Sequence, residues 1–248
     1  METKAVFPEK YAQLYPRSSK YPLEWVYQNQ MGPNALWLME WLCRNVTLSK
    51  GSRVLDLGCG CAMSSIFLAE EYDLVVWAND LWIEPSSNWE RIQARKLQGQ
   101  VFPIKAEAHA LPYAHSYFDL ILSVDAYHYF GTSDEYMAEI LKFLKPKGQI
   151  GIVVPGFVKE LPEEVPDYLA PFHEFHTLSW WKRHWEKTGL VRVDIGLEHP
   201  DGWQEWLDFL QVGIDAQLAQ DRDFEDYEML LKDRGEYMGF IQLVATKL

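Results

Sequence analysis

Val54-Leu55-Asp56-Leu57-Gly58-Cys59-Gly60-Cys61-Ala62 is an apolar run that stops at paired glycines and hands over to a helical stretch. Such a run, bounded by glycine, reads as a buried strand entering a tight turn. Gly58 and Gly60 let the backbone turn sharply and let a ligand come close to it. A dinucleotide fingerprint would need a third glycine at position 63, where Met63 stands. Asp56, at the mouth of the turn, would oppose a pyrophosphate and suits a ligand that carries an ammonium group.

Outward from this turn, strands and helices alternate. Ala62 to Tyr72 reads as the helix after the first strand, and Leu74 to Ala78 as a second strand ending in Asn79-Asp80. Pro85 to Leu97 is a helix with proline at its start. Val101 to Lys105 and Phe118 to Val124 are the third and fourth strands. Thr132 to Leu144 is a helix closed by Lys145-Pro-Lys-Gly148, and Gln149 to Val154 is the fifth strand. This grammar predicts a Rossmann-like, doubly wound α/β fold with a mostly parallel sheet covered on both faces. Leu178 to Thr188 is read as a helix, with Leu190 to Ile195 and Gly239 to Lys247 as two further strands, seven in all. Upstream, Asn34 to Leu48 shows the spacing of an amphipathic helix.

Composition limits what such a domain can bind. The 248 residues carry 36 acidic against 23 basic side chains, a net charge of −13. That balance opposes a phosphate-backbone partner and anionic membrane surfaces. No apolar run is long enough to cross a bilayer and no signal pattern opens the chain, so neither a membrane nor a nucleic-acid partner is expected. Cys43, Cys59 and Cys61 are too few for a disulfide scaffold and suit a cytoplasmic location. Residues 201–236 hold eleven acidic side chains against Arg222, Lys232 and Arg234, and are read as a solvated helical face. Aromatic residues reach 15%, with 11 Trp, enough to fill a core and to line a small-molecule site.

Asp80 closes the second strand 24 residues after Asp56, where a carboxylate can accept from two ribose hydroxyls. A ligand with an amine at one end and a ribose in the middle is S-adenosylmethionine. At this point the chain resembles the class I S-adenosylmethionine-dependent methyltransferases, in particular the small-molecule branch of the ubiquinone and menaquinone biosynthesis type. The resemblance rests on Val54 to Gly60, Asp80, Ala106-Glu-Ala-His-Ala-Leu-Pro-Tyr113, Phe118 to Asp125 and Leu141 to Gly148. It implies that Asp56, Gly58 and Gly60 hold the methionyl part and that Asp80 holds the ribose. It further implies Glu107 at the adenine amino group with Ala108 beside it, Leu81 and Trp82 along the adenine face, and Ser123 and Asp125 on the methionine side.

Methyl transfer from a sulfonium has a good leaving group, so alignment and water exclusion are the enzyme's main tasks. A base is needed only for an acceptor that must lose a proton. Asp125-Ala-Tyr-His-Tyr-Phe130 follows the fourth strand, and His128 is the candidate base, with Tyr127 or Tyr129 orienting the acceptor. The nucleic-acid amino-methyltransferase motif is missing there. His173 and His176 would share a helix face, yet no third ligand accompanies them, so no metal is expected. The expected organisation is a single domain over 1–248, with an N-terminal helical cap over 1–50, a cofactor core over 51–156 and a helical substrate cover from 157–181 and 202–235. The expected reaction is methylation of an N, O or C atom of a small molecule. A non-catalytic cofactor-binding protein and a protein or peptide methyltransferase are the alternatives. Oligomeric state is not legible in the sequence.

Overall fold

The computed structural model describes residues 7–248; the first six residues of the expected cap lie outside it. Three helices, α1 (Glu9–Leu14), α2 (Leu23–Asn29) and α3 (Ala35–Cys43), precede β1 (Arg53–Leu57). Then come α4 (Met63–Tyr72), β2 (Val75–Asp80), α5 (Pro85–Ala94), β3 (Val101–Lys105) and β4 (Phe118–Val124). A 3-10 turn at Tyr127–Tyr129 and α6 (Tyr136–Ile140) lead to β5 (Leu144–Phe157). The chain continues through α7 (Leu178–Glu186), β6 (Val191–Glu198), α8 (Gly202–Asp215), α9 (Asp221–Asp233) and β7 (Met238–Lys247).

All seven strands join one sheet in the order β3-β2-β1-β4-β5-β7-β6. The first five run parallel, and β7 lies antiparallel between β5 and β6. Successive β1 side chains enter opposite layers. Val54 joins the layer with α3, α4 and α8, and Leu55 and Leu57 join the layer with α6 and α7. Burial on both faces explains the continuous apolar character of β1. The strand order reverses between β1 and β4, and that switch point fixes where a ligand can enter.

Three expectations are corrected. The Thr132–Leu144 helix shrinks to α6, because Leu144 already pairs with Phe118 as the start of β5. Lys145 to Gly148 loop out as a bulge inside that strand, with Lys147 at φ 64°. α3 is buried on every side from Leu36 to Cys43 rather than amphipathic. One side faces the sheet; on the other, Tyr11 stacks on Trp37 at 4.3 Å and buried Glu40 accepts the Ser18 amide at 2.8 Å. Finally, the acidic 201–236 segment is not a simple solvated face. Glu205, Asp223 and Asp233 are buried: Glu205 accepts Tyr15 Oη at 2.6 Å, and Asp233 accepts the Met238 amide at 2.9 Å.

Most of the aromatic content is core. Trp37, Trp41, Trp181, Trp185 and Trp206 are fully buried, as are Tyr11, Tyr15, Tyr21 and Tyr27. Tyr27 stacks on Phe209 at 4.6 Å and donates its hydroxyl to the Phe209 carbonyl, which pins α2 to α8.

Candidate active site

A cavity of about 280 Å³ opens at the carboxyl ends of β1, β2 and β4, at the switch point. Its floor is the turn after β1. Gly58 (φ 77°) and Gly60 (φ 53°) take left-handed backbone, and a Cβ on Gly58 would collide with Ala126 Cβ. Three groups brace the turn. The Asn79 carbonyl accepts the Gly58 and Cys59 amides at 2.8 and 3.0 Å, and Asn88 Nδ2 donates to the Gly60 carbonyl at 2.9 Å. Asp80 Oδ2 accepts the Gly60 amide at 2.8 Å, and its Oδ1 accepts the Trp82 and Ile83 amides at 2.8 and 3.0 Å. The end of β2 therefore sets the shape of the β1 turn.

Nine of the expected residues line this cavity: Gly58, Gly60, Asp80, Leu81, Trp82, Glu107, Ala108, Asp125 and Tyr129. Four others lie outside its wall. Asp56 is fully buried beneath the turn, where Ser64 and Ser65 donate to its Oδ2 at 2.6 and 2.5 Å. It secures the first turn of α4, and burial pushes its carboxyl up to about 6. Ser123 is also buried and donates to the Leu57 carbonyl at 2.7 Å, tying β4 to β1. Tyr127 points into the layer with α7, its ring 5.7 Å from those of Trp181 and Trp185. His128 is 1% exposed and wedged between Tyr129 and Phe175, at 4.0 and 5.2 Å between ring centres. Burial pulls its imidazole down to about 3, so it is neutral at physiological pH and a poor proton acceptor.

The electrostatics of the wall are uneven. Glu107 is turned back on His109, accepting its amide and its Nδ1 at 2.8 Å each, so both carboxylate oxygens already have partners. Asp125 takes φ 54°, and burial raises its carboxyl well above the usual range. A cation beside it would be favoured, since it offsets the desolvation of a carboxylate on the cavity wall. Trp82 and Tyr129 form an exposed aromatic rim, 6.2 Å apart between ring centres.

The cover over this cavity comes from the segment expected as the N-terminal cap, at residues the sequence reading did not single out. Asn29, Met31, Gly32, Pro33 and Ala35 close the cavity, whereas 157–181 and 202–235 contribute no lining residue among those described. The later insertion acts at one remove. Gln30 Nε2 donates to both Asp223 oxygens at 3.1 and 2.9 Å, and Arg222 donates to the Gln30 carbonyl at 2.8 Å. Gln30 Oε1 in turn accepts the Gly32 amide at 3.0 Å. Trp180, Trp181, Trp203 and Trp206 stand away from this wall. The His173–His176 segment is a turn rather than a helix; His176 stacks on Trp180 at 3.6 Å and His173 faces Glu174 at 3.1 Å.

Comparison with known proteins agrees with this geometry. Residues 54–148 match the family described as a methyltransferase domain. Methyltransferase GfsG of Streptomyces halstedii is 29% identical over 165 residues, 64% of this chain and 59% of that protein. The chain thus spans about three fifths of that relative. A sarcosine dimethylglycine methyltransferase structure from Galdieria sulphuraria superposes with a TM-score of 0.72 at 17% identity, over 86% of this chain and 85% of that one. Phosphoethanolamine N-methyltransferase 2 of Haemonchus contortus, solved with S-adenosyl-L-methionine, gives 0.73 at 19% identity over 98% of this chain and 60% of that one. Residues 54–148 carry the match to a methyltransferase domain, and the sheet as a whole has the Rossmann-like fold of the S-adenosylmethionine methyltransferases.

Proposed function

We propose that the protein is an S-adenosylmethionine-dependent methyltransferase acting on a small molecule. The observation that carries this reading is the Asp80 carboxylate on the cavity wall beside a glycine turn that cannot take a Cβ at position 58. The residues present fit the cofactor. Asp80 keeps lone pairs for a ribose diol, because three backbone amides do not exhaust two carboxylate oxygens. Asp125 offers a half-buried carboxyl on the cavity wall to an ammonium group, and Leu81 and Trp82 offer apolar surface to a purine. When bound, the cofactor supplies an electrophilic methyl on a sulfonium.

The chain's own part is positioning. The braced turn fixes one reactant, the Met31–Pro33 strap excludes water, and Tyr129 and Phe130 leave an aromatic approach for the other. No proton acceptor is needed for an acceptor that reacts neutral, and His128 is too buried to act as one at neutral pH. Net charge and the three free cysteines favour a cytoplasmic enzyme without a nucleic-acid partner. Within the class, Ala106 to Tyr113 and Leu141 to Gly148 favour the quinone-biosynthesis type. The whole chain is read as one domain, with 157–181 and 202–235 supporting the acceptor side.

Titration calorimetry with S-adenosylmethionine and its demethylated product, paired with a mass-spectrometric methylation assay on a metabolite panel, tests this reading. Binding of neither ligand, with binding of NAD instead, overturns it.

A further inference from the structure

Arg91, in the last turn of α5, joins two parts of the candidate site without lining the cavity itself. Its Nε donates to Asn29 Oδ1 at 2.6 Å, and Nη1 donates to Asn88 Oδ1 at 3.1 Å. Both amides are buried. Asn29 begins the segment that covers the cavity, and Asn88 Nδ2 donates to the Gly60 carbonyl at 2.9 Å. A continuous chain of hydrogen bonds therefore runs from the cover, through Arg91, to the floor.

The two amides need a partner that donates at both ends. Asn29 Nδ2 is already given to the Trp25 carbonyl at 2.7 Å, and Asn88 Nδ2 to Gly60. Each amide thus turns its oxygen toward α5, and the planar fork of a guanidinium answers two separate oxygens at once. Arg95, one turn further along the chain, closes its fork on Glu70 of α4 instead, at 2.9 and 2.6 Å. Gly60 is held at its amide by Asp80 and at its carbonyl by Asn88. Of these two holds, the one through Asn88 continues to the cover by way of Arg91.

We infer that Arg91 is a positioning residue for the cofactor, coupling the cover at 29–33 to the glycine turn so that the two surfaces enclosing the ligand close as one. This rests on the S-adenosylmethionine reading above and adds to it a residue that acts through Asn29 and Asn88. Release of a bound cofactor then requires the link to break or the cover and turn to open together.

Two readouts test the coupling. In the ligand-free protein, Arg91→Ala should speed amide hydrogen exchange severalfold at both 29–33 and 58–61. Arg95→Ala, which breaks an ion pair on the same helix, should leave both stretches unchanged. With S-adenosylhomocysteine bound, Arg91→Ala should raise the dissociation rate by about tenfold, the scale of one hydrogen bond to a charged group. Stopped-flow fluorescence reads that rate, and added methylguanidinium should lower it again by refilling the vacated fork. Arg91→Met, which removes the donors and keeps the aliphatic length, repeats both measurements if the alanine variant fails to fold. Faster exchange in only one of the two stretches, an unchanged dissociation rate, or a raised rate that methylguanidinium does not lower overturns the inference. If S-adenosylhomocysteine does not bind the native protein, the cofactor reading falls, and the exchange comparison alone decides the coupling.

Discussion

Asp80 holds the Gly60 amide at 2.8 Å across the gap between two strand ends. The bond makes one carboxylate both a brace of the glycine turn and a wall of the cavity. Its removal should therefore be felt twice. Asp80→Ala is expected to weaken S-adenosylmethionine binding by about 1.5–3 kcal/mol, the usual worth of hydrogen bonds to a charged group. It should also lower the unfolding midpoint. Calorimetry and thermal melts check this, and an unchanged dissociation constant would assign the ribose to another residue.

The two turn glycines should differ in tolerance. An alanine at Gly58 needs left-handed backbone and meets Ala126, whereas one at Gly60 meets only the Met31 thioether, at 2.8 Å, which can swing aside. Backbone strain of about 1–2 kcal/mol applies to both. Urea unfolding should show Gly58→Ala to be the more destabilised, and equal losses would mean that the Ala126 contact yields.

Burial of His128 has a definite pH signature. Its folded pKa of about 3 lies below the ordinary 6.5, so the unfolded chain binds the proton more readily between those values. Stability is complete above pH 6.5 and is lost as pH falls toward 3, by about 1.4 kcal/mol per pH unit for this one group. His128→Phe should flatten that limb in a series of unfolding measurements. A limb of equal slope in the variant would locate the proton uptake elsewhere, for example at His199, which burial lowers to about 4.

The strap over the cavity hangs on α9. Asp223 accepts Gln30 Nε2 and also caps its own helix through the Gln220 amide at 2.7 Å. Asp223→Ala should cost about 1 kcal/mol of stability through the cap alone. Hydrogen exchange at residues 29–33 should speed up, and cofactor affinity should fall severalfold. Protection unchanged over that stretch would show the strap to be held by its other contacts.

Local signals were legible and long-range ones were not. Val54 to Tyr72 could be read because a buried strand, two glycines and a helix announce themselves within twenty residues. Asp80 followed from the end of the next strand. Side-chain direction after β4 could not be read, because a 3-10 turn rotates each successive residue by about a third of a circle. Tyr127 and His128 turn inward there, and only Tyr129 faces the cavity. A cap from the first fifty residues was expected, but the tie that holds its Met31–Pro33 strap was hidden for another reason: its partner, Asp223, lies far along the chain, and no local pattern links Gln30 to it. Burial of Glu205 and Asp233 was equally illegible, since each is satisfied by a partner on another element or past a turn.

The place of β7 in the sheet has a consequence for how the chain matures. Among the described residues β6 pairs only with β7, and β7 also covers the flank of β5. As the chain is synthesised, β6 emerges with no strand to join, and Ile150, Ile152 and Val154 of β5 present an unpaired apolar border. The whole 202–235 stretch is synthesised before β7 arrives to seal that border. A ribosome stalled between Glu198 and Met238 would hold a nascent chain with an open, aggregation-prone edge. Completion of the sheet therefore waits for the last strand, and a nascent-chain surveillance system would encounter this protein at that interval.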